Sequence, residues 1–146
     1  SISALSLLIT DSEYTFLEPH YPQLLQEYVE HPLVHPIIYT LGDRSDQMRK
    51  LCALGLSHID CEIVPHKDTN TLLSIRNNYE SNDNRKIAFT LIGDSFTRDV
   101  LPAIEANFET VVHITKDAPK VTPLRVQRVH CRKTIPRVTE LSFTDL

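Results

Sequence analysis

An α/β sandwich is the fold class the sequence predicts: a five-stranded parallel sheet with helices on both faces. Three observations predict it. Five short apolar runs read as strands, and they are mostly continuous instead of alternating, as strands covered on both sides are. Helix-like segments separate each run from the next, the alternation that parallel strands joined by crossovers require. A length of 146 residues matches one domain with its own core, burying roughly two thirds of the unfolded chain's surface.

The elements follow in order. "ALSLLIT" (4–10) is the first strand, and "PQLLQEYVE" (22–30) begins with Pro22 at a favourable first helical position. "PIIYT" (36–40) is the second strand. "DQMRKLCAL" (46–54) follows Ser45, a good N-cap, stops before Gly55, and puts Met48, Leu51 and Cys52 on one face. "CEIV" (61–64) is the third strand, and "TNTLLSIRNNY" (69–79) aligns Leu72, Ile75 and Tyr79 in one stripe. A polar loop, "ESNDNRK" (80–86), leads to the fourth strand, "IAFTLI" (87–92). "RDVLPAIEA" (98–106) is a helix ending at Asn107, which tolerates the left-handed conformation, and "TVVHI" (110–114) is the fifth strand. After that the alternation breaks: "APKVTP" is linker-like and "LRVQRVH" (124–130) alternates as an edge strand does. The expected organisation is a single domain over 1–146, with its core at about 4–115 and a basic extension at 116–146.

Composition excludes several classes. The chain is 41% hydrophobic and 23% charged, ordinary for a soluble globular protein. No apolar run approaches the ~20 residues of a membrane span. Residues 1–10 lack the basic start and cleavage-like end of a secretory leader. Cys52, Cys61 and Cys131 are odd in number and form no CxxC, which argues against a disulfide framework or a cysteine zinc site and for a reducing, cytoplasmic setting. The net charge is −4, yet residues 116–137 hold seven of the 15 basic residues and one acid; that segment is +6 and the remainder −10. Nucleic acid is not an expected partner of such a chain. A homo-oligomer contact or an acidic partner at 116–137 is.

Four polar residues stand where strands end. Asp11 follows the first strand, Thr40 closes the second, Lys67 follows the third and Asp94 the fourth, at intervals of 29, 27 and 27 residues. Each interval is one strand–helix unit. The four therefore gather beyond the carboxyl ends of the sheet, where open α/β sheets bind ligands. Asp11 and Asp94, with Asp99 nearby, would repel one another without a cation among them, and oxygen ligands suit a hard ion such as Mg²⁺. A carboxylate nucleophile, a hydroxyl, and a lysine and metal that neutralise charge together make a site for a phosphoryl group.

These residues resemble the motifs of the haloacid dehalogenase-like superfamily, over roughly residues 4–115. "LLITDSEYTF" resembles the first motif, hydrophobics followed by DxDGT; "IIYTLG" resembles the second, Lys67 the third, and "IGDSFTRDV" the fourth. The resemblance implies Asp11 as nucleophile, Glu13 as general acid and base, Thr15 as the threonine of the turn, Thr40 as a phosphate-binding hydroxyl and Lys67 as the charge-neutralising lysine. It implies Mg²⁺ held by Asp11, the backbone carbonyl of Glu13, Asp94 and the second acid Asp99. It further implies a Rossmann-like fold with strand order 5-4-1-2-3, of the capless type, whose open crevice takes large phosphorylated substrates.

Two positions depart from the motif: Glu13 stands for aspartate and Tyr14 for glycine. The glutamate is longer by one C–C bond, roughly 1.5 Å, and a misplacement of about 1 Å can slow catalysis on the order of 100-fold. Two classes of function are thus in view. One is a Mg²⁺-dependent phosphohydrolase working through an aspartyl-phosphate. The other is a weakly active or inactive binding protein on the same fold, using its basic C-terminal segment. A phosphoreceiver domain also sets acids, a threonine and a lysine on a parallel sheet; it would need its phosphorylated aspartate after the third strand, where Asp68 stands.

Overall fold

The computed structural model describes residues 4–10, 21–53, 55–81, 87–115 and 129–140. In chain order these form β1 (Ala4–Thr10), α1 (Tyr21–Glu30), β2 (Val34–Leu41), α2 (Arg44–Ala53), β3 (Asp60–Val64), α3 (Thr69–Ser81), β4 (Ile87–Gly93), a π-helical turn (Phe96–Val100), α4 (Leu101–Glu105), β5 (Thr110–Ile114), β6 (Val129–Arg132) and a 3₁₀ turn (Val138–Glu140). All strand pairs are parallel, in one sheet of order β3-β2-β1-β4-β5-β6. The expected five-stranded sheet is therefore corrected to six strands. The C-terminal extension supplies the sixth, beyond a run of β5-β4-β1-β2-β3. Of the edge strand expected over 124–130, Val129 and His130 are described, and they open β6, which runs on to Arg132; residues 116–128 lie outside the described residues.

Successive strand side chains point to opposite faces, and both faces are filled. On one, Ile38, Ala88, Ile92, Val112 and Ile114 are covered by Leu25 and Tyr28 of α1, Leu51 of α2, and Ile135 and Val138. On the other, Ile37, Tyr39, Phe89, Leu91 and Val111 are covered by Leu72 and Ile75 of α3 and by Val100, Ala103 and Ala106. Every residue of β4 is buried, which is why its sequence does not alternate. Each fully buried Leu, Ile or Phe stabilises by roughly 1.5–3 kcal/mol relative to exposure.

Local chemistry shifts three boundaries. α2 begins at Arg44, because Asp43 caps it: the Asp43 carboxylate accepts the Asp46 N–H at 3.1 Å. On this helix Cys52 faces solvent, and Gln47 takes an inward place. The helix ends with the N–H groups of Gly55 and Leu56 bonded to the carbonyls of Cys52 and Leu51, at 3.1 and 2.8 Å. That is a Schellman end, and it needs the left-handed φ of +73° that Gly55 adopts. The helix expected over 98–106 is two pieces. Ser95 caps the π-helical turn two residues earlier, and Pro102, which has no N–H to donate, opens the α-helical part.

The extension returns to α1 after β6. The Tyr28 hydroxyl donates to the Pro136 carbonyl, Arg137 pairs with Glu27, and Arg132 pairs with Glu140. Arg132 and Arg137, two basic residues of the 116–137 segment, are thus paired with acids of the same chain. Among the described residues no helix is long and apolar enough to cross a membrane.

Candidate active site

A cavity of about 280 Å³ lies where the strands end, lined by Thr40, Leu41, Gln47, Lys67, Asp94, Ser95, Arg98 and Asp99. β2 delivers Thr40 and Leu41, α2 delivers Gln47, the loop after β3 delivers Lys67, and the segment after β4 delivers Asp94, Ser95, Arg98 and Asp99. Four of the residues expected from the sequence therefore meet: Thr40, Lys67, Asp94 and Asp99. Asp11 and Glu13, with Tyr14 and Thr15, lie outside the described residues. The strand that precedes them is placed, however. Ile9 pairs with Ile38 on one side and Ile92 on the other, and Thr10 pairs with Tyr39, so β1 ends between the two strands that line the cavity.

Lys67 stands in the loop two residues before α3. Asp68 caps that helix, accepting the N–H and the hydroxyl of Thr71, both at 2.8 Å. Those two bonds hold the Asp68 carboxyl below the usual range. The Lys67 ammonium donates to Oδ1 of Asp99 at 3.2 Å and lies 5.1 Å from the centre of the Tyr39 ring. Both partners are buried, with side chains 6% and 1% exposed. The other Asp99 oxygen accepts the Ser95 N–H at 3.1 Å. Asp99, expected among the metal ligands, thus has both carboxylate oxygens engaged by protein donors.

Burial pushes the Asp99 carboxyl above the usual aspartate range, although Lys67 and the Ser95 N–H pull the other way. The sign of the consequence follows. A raised carboxyl value means the folded chain holds this proton more tightly than the unfolded one. The contribution to stability is full below the ordinary aspartate value, near 3.9, and is lost as pH rises through the folded value. We expect the stability difference between wild type and Asp99→Asn to move against wild type as pH climbs from about 3 to 7. Urea midpoints across that range measure it, and a difference moving in the opposite direction would refute the assignment.

The end of β2 is pinned by a contact the sequence did not reveal. Gln47 Nε2 donates to the Leu41 carbonyl at 3.0 Å. The chain turns there through Gly42 at φ +124°, where an added Cβ would stand 3.0 Å from that same nitrogen. Glycine at 42 thus permits both the turn and the approach of Gln47 to the strand bearing Thr40. Ser95 and Arg98 were also missed as lining residues, although both stand inside the quoted "IGDSFTRDV". A serine at an N-cap position was their available signal.

Asp94 is exposed to the cavity, and its backbone carbonyl meets Nε2 of His113 at 3.1 Å. The lining offers carboxylate, hydroxyl and carbonyl oxygens without thiol or imidazole, the donor chemistry that a hard divalent cation takes. Among the described residues no group of three His, Cys, Asp or Glu could by itself hold a metal; Asp94 is the described carboxylate open to one. The phosphoreceiver alternative meets two obstacles. Its third strand is interior, in the order 2-1-3-4-5, whereas β3 here is an edge strand, and Asp68 is occupied as a helix cap.

No protein-family model and no curated protein matches the sequence. Among solved structures, the chain is similar to a haloacid dehalogenase-like family hydrolase from Xanthomonas campestris, with 15% identity and a TM-score of 0.58 over 88% of this chain and 90% of that one. Agreement at such low identity is agreement of fold. The chain has the haloacid dehalogenase-like fold.

Proposed function

We propose that the chain is a Mg²⁺-dependent phosphohydrolase that cleaves phosphomonoesters through an aspartyl-phosphate on Asp11. What supports the reading is the meeting of Thr40, Lys67 and Asp94 in one cavity beside the end of β1. In this mechanism the Thr40 hydroxyl and the Lys67 ammonium bind the phosphoryl oxygens, and Asp99 holds Lys67 in place. A carboxylate oxygen of Asp11 attacks phosphorus as the bond to the leaving oxygen breaks, and Glu13 gives that oxygen its proton. Glu13 then takes a proton from the water that hydrolyses the acyl phosphate, which frees phosphate and Asp11. Mg²⁺, held by Asp94, Asp11 and the Glu13 carbonyl, would supply neutralisation of phosphoryl charge. On the capless reading, the substrate enters from the open edge of the sheet and is gripped by its phosphoryl end.

The test is hydrolysis of p-nitrophenyl phosphate by the full chain, with and without Mg²⁺, alongside a Mg²⁺ titration of wild type and Asp94→Asn. Loss of one of the few charged ligands is expected to weaken Mg²⁺ binding at least about tenfold. Equal Mg²⁺ affinities in the two proteins would remove Asp94 from the site, and absence of metal-stimulated hydrolysis would overturn the reading.

A further inference from the structure

Two cations line the cavity, and their situations differ. Lys67 is buried and paired with Asp99, so its charge is largely balanced before any ligand arrives. Arg98 is exposed, and its guanidinium has no ion pair or hydrogen-bond partner among the described residues. The backbone beneath it is fixed. Its N–H donates to the Ser95 hydroxyl at 3.2 Å, and its neighbour Asp99 anchors the same turn through Lys67 and the Ser95 N–H. The hydrogen-bonded turn thus holds, over the cavity that would take the phosphoryl group, a guanidinium without a partner among the described residues.

Resting on the reading under "Proposed function", we infer that Arg98 is a specificity-determining residue that binds a second anionic group of the substrate. The substrate class is a phosphomonoester whose leaving group carries a carboxylate or another phosphate close to the ester. In the proposed mechanism Thr40, Lys67 and the metal serve the transferred phosphoryl group and leave Arg98 free for the remainder of the molecule. A guanidinium presents a planar fork of donors that matches a carboxylate or phosphate with two parallel bonds. The cavity, about 280 Å³, lies near the lower bound for small-molecule sites, roughly 300 Å³. That size suits a phosphoryl group with a short acidic tail as the part that enters.

The experiment compares two inert probes that differ in one charge, phosphonoacetate and phosphonoacetamide, titrated calorimetrically into the full chain in one Mg²⁺-containing buffer. A hydrogen bond to a charged group contributes about tenfold to 100-fold in affinity. Wild type should therefore favour phosphonoacetate over the amide by that factor. The ratio should fall to near one in Arg98→Gln, and Arg98→Lys, which keeps charge without the fork, should retain part of it. A wild-type ratio near one, with both probes bound, would overturn the inference and leave the phosphoryl site standing. A ratio that survives in Arg98→Gln would overturn it as well. If neither probe binds wild type, the phosphoryl site fails and the inference falls with it.

Discussion

Replacing Lys67 by methionine is expected to lower stability by about 3–5 kcal/mol, because it leaves the Asp99 carboxylate buried without its cation. A domain of this kind has roughly 5–15 kcal/mol in all, so the loss will be plain in urea or thermal unfolding. The cause can be separated from lost packing in two ways. Asp99 escapes an uncompensated charge by taking up a proton, which burial already favours; the loss should therefore be smaller at pH 5 than at pH 8. The double change Lys67→Met with Asp99→Leu removes both charges and should recover much of the loss. If the double variant is no more stable than the single one, the pair is not what holds this corner. Under conditions where Lys67→Met stays folded, its hydrolysis of p-nitrophenyl phosphate should also fall, on the order of 10²–10³-fold, as when one stabilising donor to a developing charge is removed.

Asp11→Asn is expected to abolish turnover. An amide cannot become an acyl phosphate, so the two-step route closes altogether, whereas loss of general acid–base help alone lowers rates by roughly 10²–10⁴-fold. Hydroxylamine should trap an acyl phosphate from wild type during hydrolysis and none from the variant. Undiminished turnover in Asp11→Asn would show that the nucleophile lies elsewhere. Lys67→Met and Asp11→Asn also differ from each other in kind, since the first should weaken phosphate binding and rate together and the second should remove chemistry.

The sequence marked where Lys67 stands, and the reason is periodicity. Thr40, Lys67 and Asp94 each stand just past a continuous apolar run, and strand ends are marked more sharply than any other boundary in this chain. β1, β4 and β5 could be read nearly to the residue for the same reason. The residues that position the site were hidden. Gln47 lies on the inward side of α2, where propensity favours an apolar side chain, and its place depends on a carbonyl left open at the end of β2. Asp99 reads as a helix-capping acid or a metal ligand; its pairing with Lys67 joins the loop after β3 to the π-helical turn, 32 residues apart. The π-helical turn could not be foreseen, because it arises from where Ser95 caps and where Pro102 cannot donate. The sixth strand was half visible as an alternating segment, but its parallel pairing with β5 is a tertiary outcome.

The position of β1 in the sheet has a consequence for how the chain assembles. β1 precedes the other described strands in the chain, yet one of its two neighbours is β4, and Ala4 must find Ile87. The C-terminal turn then closes on α1, joining Arg137 to Glu27 across 110 positions. Pairings this distant in sequence must close long loops before they are rewarded, which slows folding relative to locally paired chains. During synthesis at about 5–20 residues per second, the apolar run of β1 waits several seconds for its second neighbour to be made. The strand that leads to Asp11 thus precedes the other described strands in the chain, yet it is flanked on both sides only once β4 exists.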